Sequence, residues 1–318
     1  MEVRKVNGFF IIFVIGYIGL SVVCASIMAY AQNSGIAVPD WIQYVMSEGI
    51  ILLIAIIYMI VQKIDPIREI PYKRIGIVDV ILSLVAGYCL IPAVLLISNI
   101  SMLFSTNYLD EGTTTLLTYP FAMQVILLAV IPPLVEELIF RGIFFGSYRK
   151  AGMTGAALMS GLLFGCFHLN INQALYAFVM GIVFAYMVEA TGSLWSSVIA
   201  HFAVNTYSIG IVQILKMAGI YAQDGSVSET FENAESVAGQ STAVTVVQIA
   251  MIAVIAAVFM MLAVLCIRTM AKRHGNLEKM KIQEVKLSHI KNYFTAPVIV
   301  GIVVCVMYMI MLEFSGTL

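Results

Sequence analysis

Charge is scarce in this chain. Of its 318 residues only 11% are Asp, Glu, Lys or Arg, while 61% are hydrophobic. A soluble domain carries roughly 25% charged residues. The mean hydropathy is +0.98, so a soluble globular fold is excluded and lipid becomes the expected solvent. The formal net charge of −1 offers no basic surface, and nucleic acid is not an expected partner. Cysteine is sparse as well. Cys24, Cys89, Cys166, Cys266 and Cys305 lie in apolar stretches with no CxxC spacing, which argues against a disulfide framework or a thiolate metal site and reads as small buried hydrophobes. Internal repeats are missing, and the longest loops, near 218–242 and 268–293, are too short to bury a separate core.

Long apolar runs are what the chain has in excess. A spanning helix needs about 20 mostly apolar residues. Nine candidate spans result, near 8–30, 44–62, 76–99, 117–148, 152–169, 172–189, 193–215, 243–267 and 294–314. The first ends in Ala29-Tyr30-Ala31, which resembles a signal-peptidase site, but its apolar run is longer than that of a signal peptide and it reads as an uncleaved span. Pro132-Pro133 and several charges interrupt the fourth. With a cytoplasmic N-terminus, 15 of the 17 Lys and Arg residues fall in inside segments, as the positive-inside rule requires. Asp40, Asp110, Glu111, Asp224, Glu229, Glu232 and Glu235 then fall outside. The basic segment 268–293 is expected against anionic headgroups. The reading is an all-α, polytopic transmembrane helix bundle of eight or nine spans, one domain over 1–318, in the plasma membrane.

The polar residues inside the spans carry the chemical information. A charge near the bilayer centre costs several kcal/mol and normally faces the bundle interior with a partner. Glu137 and Arg141 are one helical turn apart and can pair on one face. Glu136 is rotated by about 100° from Glu137 and projects elsewhere. One glutamate can therefore be neutralised while the other stays free. Of four histidines, His274 and His289 lie in the basic loop, where solvated side chains are expected. His168 and His201 lie in apolar spans, with Asn205 one turn after His201. At about 1.5 Å of rise per residue, Glu136 and His168 lie roughly 22 and 25 Å from the turn near 151. Asn205 lies roughly 20 Å from the turn near 192, and His201 about 13 Å. Antiparallel spans bring these side chains to similar depth, inside an intramembrane cavity. Because His201 is nearer the basic end, the cavity is expected to open toward the cytoplasm. Gly161 and Gly165 let the fifth span approach a neighbour closely.

Glu136-Glu137 with Arg141 matches EExxxR, Phe164 with His168 matches FxxxH, and His201 with Asn205 matches HxxxN. In this order, on successive spans, the three motifs resemble those of the CPBP family of intramembrane proteases. That family is also called Abi or CAAX-protease-like and includes the Ras-converting CAAX prenyl protease. The resemblance covers about 117–210, the expected catalytic core. It implies Glu136 as the catalytic glutamate and Glu137 as its neighbour held by Arg141. It implies that His168 shares the attacking water, that His201 and Asn205 stabilise the oxyanion, and that Phe164 shapes the pocket. The chemistry is coherent on its own terms. Amide hydrolysis needs an activated water, a proton shuttle and oxyanion donors.

The family has been described both as metalloproteases and as glutamic proteases. Glu136, His168 and His201 could hold zinc, but no HExxH places two histidines on one helical face. A metal-independent mechanism is expected, with zinc the alternative. The expected substrate is a membrane-anchored peptide or protein. A catalytically inactive scaffold or immunity protein of the same fold would carry the same motifs. A transporter would also place charges in spans, with Gln124, Asn170, Asn172 and Gln173 lining a path, although paired broken helices in repeated halves are missing.

Overall fold

The computed structural model describes residues 3–105, 119–219, 242–282, 285 and 287–315. The outer-loop acids from Asp110 to Glu235 named above lie outside the described residues. Among the described residues nine apolar helices dominate: α1 (Val3–Asn33), α2 (Trp41–Val61), α3 (Ile77–Ser101), α4 (Phe121–Ala151), α5 (Met153–Phe167), α6 (Ile171–Thr191), α7 (Trp195–Met217), α8 (Thr242–Arg273) and α9 (Ala296–Ser315). Eight are long and apolar enough to cross a membrane. The protein is a multi-pass, all-helical membrane protein. Exposed side chains such as Ile12, Ile60 and Val254 give it an apolar outer surface. All five cysteines are free.

The fifth helix corrects the expected span 152–169. It has 15 residues, about 22 Å of rise, against a hydrocarbon core of about 30 Å. Its end has a local cause. Leu169 takes a left-handed conformation (φ 55°), and Asn170 then caps α6, its Oδ1 accepting from the Gln173 N–H at 3.1 Å. The helix therefore stops at Phe167 and leaves His168 at a recessed turn.

Several connections meet at one end of the bundle. The Leu194 N–H donates to Pro71 O at 2.7 Å, and Asn276 Nδ2 donates to Ala190 O at 3.1 Å. Tyr148 Oη donates to Asn7 Oδ1 at 2.7 Å, and Asn7 Nδ2 donates to Asn292 O and Thr295 Oγ1, each at 2.9 Å. Arg149 pairs with Glu189 at 3.2 Å. His274 is not merely a solvated loop residue. Its Nε2 lies 3.0 Å from Oδ2 of buried Asp79, and Arg273 Nε lies 3.2 Å from Oδ1. The basic segments thus share one end, as the charge pattern requires.

Two packing devices set the interior. An aromatic stack joins α1, α4 and α5: Phe13 lies 4.6 Å from Phe167, Phe9 5.4 Å from Phe144, and Phe140 5.0 Å from Phe164 between ring centroids. Such pairs contribute about 0.5–1.5 kcal/mol each beyond burial. A glycine seam joins α5 to α6. A Cβ on Gly161 would meet Phe178 O at 2.7 Å, and one on Gly165 would meet Ala174 O at 2.5 Å. The neighbour that these glycines admit is α6.

Candidate active site

The fourth helix is irregular where the charges sit. Two wider turns with i→i+5 bonding, Val125–Val130 and Leu138–Phe145, flank an α-helical turn at Ile131–Glu137. Such turns recur at functional sites. Pro132 and Pro133 have no N–H, so Leu128 O has no donor at either the fourth or the fifth following residue. Asn205 supplies one from α7, its Nδ2 donating to Leu128 O at 2.9 Å. One of its two amide N–H bonds is thereby committed, and the other remains for a ligand.

The adjacent glutamates have opposite surroundings. Glu137 is fully buried, and its Oε1 accepts from Arg141 Nη1 at 2.8 Å, with Arg141 fully buried as well. The guanidinium lies over Phe164 (4.2 Å to the ring centroid) and near Phe184 (5.2 Å). Close packing makes room for it: a Cβ on Gly181 would come within 2.6 Å of Gly161 Cα and 3.1 Å of Arg141 Nη2. Glu136 instead keeps 14% of its side chain exposed and lines a cavity.

Both intramembrane histidines are oriented. His168 Nδ1 lies 2.8 Å from Phe164 O. A carbonyl only accepts, so Nδ1 carries the proton and Nε2 presents a lone pair. His201 Nδ1 lies 3.1 Å from Glu137 Oε1, the oxygen that also binds Arg141. Its Nε2 lies 3.7 Å from Glu136 Oε2, beyond hydrogen-bond length. Phe164 stands edge-on to both rings, at 4.7 and 5.9 Å, and Phe184 lies 5.2 Å from His201.

Glu136, Phe164, His168, His201 and Asn205 line one cavity of about 290 Å³. Glu137 and Arg141 stand behind it and hold His201. A second, larger cavity of about 600 Å³ shares Ser47, Glu48, Glu136, His168 and Gln173 with the first and extends between α1, α2 and α9, lined by Ser21, Ala25, Tyr308 and Leu312 among others. These segments lie toward the bundle end opposite the basic connections. The cavities thus lie away from the basic end, toward which the sequence pattern expects the opening. The turn after α5, from Phe167 to Asn170, lines the larger hollow.

Glu48 escaped the sequence reading. It is the one charged residue of α2. It lines both cavities, and its Oε2 is buried without a hydrogen-bond partner. Its signal was only a lone carboxylate in an apolar span. For the zinc alternative, no three His, Cys, Asp or Glu side chains are grouped to hold a metal ion among the described residues. Glu136, His168 and His201 as they stand do not form such a set.

These features define a class: a polytopic helical membrane protein with a carboxylate–histidine site inside the bundle. Residues 118–207 match the family model described as "Rce1-like: Type II CAAX prenyl endopeptidase Rce1-like", a segment that contains all the motif residues. The chain is similar to "Putative membrane peptidase YdiL" of Bacillus subtilis (strain 168), 33% identical over 88 residues. That stretch is 27% of this chain and 36% of the relative, so the likeness spans about a third of that protein's length. It is also similar to "UPF0177 protein YxdF" of Lactococcus lactis subsp. lactis (strain IL1403), 27% identical over 174 residues, 52% of this chain and 94% of the relative. No solved structure matches significantly. The resemblance to the CPBP family stands on these matches together with the motifs.

Proposed function

We propose that the protein is an intramembrane endopeptidase that hydrolyses a peptide bond of a membrane-anchored peptide or protein, with Glu136 as general base. The observation that carries the reading is the division of labour between adjacent glutamates. Glu137 is neutralised by Arg141 at 2.8 Å, whereas Glu136 faces a cavity that also contains His168 and His201. The Rce1-like match and the Bacillus relative named a membrane peptidase support it.

Glu136 takes a proton from a water whose oxygen attacks the carbonyl carbon. His168 Nε2, bare of hydrogen, accepts the water's other O–H and orients it. The electron pair of the C=O bond moves onto oxygen. The free N–H of Asn205 donates to that oxyanion, and His201 does so from Nε2 when it carries a second proton, its Nδ1–H being held by Glu137. The proton on Glu136 then passes to the amide nitrogen as the C–N bond breaks. No step is routed through a metal. Positioned acid–base groups of this kind contribute about 10²–10⁴-fold in rate. If the basic end is cytoplasmic, the site opens in the outer half of the membrane. A lipid-anchored segment is the substrate class that the family description implies.

The test is a comparison of membrane proteomes from cells producing the wild-type protein and Glu136→Gln. New peptide termini that occur with wild type and vanish with the variant support the reading. Identical termini in both overturn it.

A further inference from the structure

We infer that Glu48 forms a subsite for a cationic group of the substrate, a lysine or arginine side chain or a free amine beside the scissile bond. The inference rests on the endopeptidase reading for the word substrate, but its observations are separate. Glu48 reaches the site from α2, outside the matched segment 118–207. It stands where the two cavities meet, lining both together with Glu136 and His168.

The charges around it point one way. Among the described residues that line the two cavities, the charged ones are Glu48 and Glu136, and neither Lys nor Arg is among them. The nearest guanidinium, Arg141, is spent on Glu137 and enclosed by Phe164 and Phe184. Glu48 Oε2 is buried and makes no hydrogen bond. Tyr17 Oη, which could have reached over from α1, is 3.0 Å from Ser47 Oγ instead. A carboxylate taken from water without a cation is costly, and one that faces an open cavity is matched by a ligand that brings the cation. The proposed mechanism has no task for Glu48, because the water and the proton are handled by Glu136 and the oxyanion lies toward His201 and Asn205. The larger cavity suits the rest of such a ligand. Ile18, Val22, Ile51, Phe167 and Leu312 line it with apolar surface, so a mainly apolar membrane segment with one positive charge fits its chemistry.

The test uses the full-length Glu136→Gln protein in nanodiscs, which separates binding from hydrolysis. The probes are palmitoylated, fluorescein-labelled peptides of otherwise neutral sequence. One Lys is moved residue by residue along the peptide, and matched peptides carry norleucine or Glu there. In one register the Lys peptide should bind about 10- to 100-fold tighter than the norleucine peptide, the range of one charge-assisted hydrogen bond. The double variant Glu48→Gln/Glu136→Gln should lose that difference while unfolding at the same temperature as Glu136→Gln. Equal binding of Lys and norleucine peptides in every register overturns the inference, as does a Lys preference that survives Glu48→Gln. If the double variant does not fold, Glu48→Asp replaces Glu48→Gln. The shortened carboxylate should then move the favoured register or weaken it at least 5-fold, and an unchanged preference overturns the inference. Charge-dependent binding without any cleavage by wild type would leave the subsite intact and remove the endopeptidase reading. Cleavage indifferent to Lys and to Glu48 would do the reverse.

Discussion

Replacing Arg141 with Ala should damage folding before it damages chemistry. The guanidinium is fully buried, pairs with Glu137 at 2.8 Å and packs on Phe164 and Phe184. Its removal leaves Glu137 as a buried carboxylate whose Oε1 retains only His201 and whose Oε2 has no partner. Breaking a buried pair this way costs about 3–5 kcal/mol, and a desolvated cation–π contact adds up to about 2. We expect a total loss of about 3–7 kcal/mol. The pair itself is a different matter. Removing both charges with Glu137→Gln/Arg141→Met leaves no stranded ion and should return at least about 2 kcal/mol relative to Arg141→Ala. Unfolding in mixed micelles with increasing SDS measures each variant, beside activity per folded molecule. If Arg141→Ala unfolds like wild type yet is inactive, Arg141 touches the reacting atoms and the positioning account is wrong.

Other outcomes follow from the same geometry. Gly181→Ala forces a Cβ to 2.6 Å from Gly161 Cα and should cost about 1–3 kcal/mol by overpacking, read by the same unfolding titration; no change would refute the α5–α6 seam. Asn205→Leu strands Leu128 O and should cost about 1–3 kcal/mol. Adding Pro132→Ala supplies an N–H four residues after Leu128 and should restore stability without restoring activity, and recovery of both would make Asn205 purely structural. Exhaustive chelation with elemental analysis should leave activity intact. Loss on chelation, reversed by stoichiometric zinc, would move the reading to a metalloprotease using Glu136, His168 and His201.

The parts of the site that could be read from sequence are those set by helical spacing. Glu137 and Arg141 pair because residues four apart stay neighbours, even as the turn widens after Glu137. Glu136 stands apart from Glu137 for the same rotational reason. What escaped depends on contacts that spacing does not encode. Pro132 and Pro133 announce an orphaned carbonyl at Leu128, but not that Asn205 fills it from another helix. His274 reads as a loop residue because its partner, Asp79, is 195 positions away. Counting apolar residues extends the fifth span through Leu169, whereas the left-handed backbone there ends the helix at Phe167. Glu48 belongs to no motif, and only its place between two cavities marks it.

The most direct test is the hydrolysis rate of purified protein on a fluorogenic, membrane-anchored peptide, with Glu136→Gln compared at equal folded concentration. The account predicts turnover by wild type, a fall of about 10²–10⁴-fold in kcat for Glu136→Gln, and an unchanged unfolding midpoint. Turnover by Glu136→Gln at the wild-type rate would contradict it.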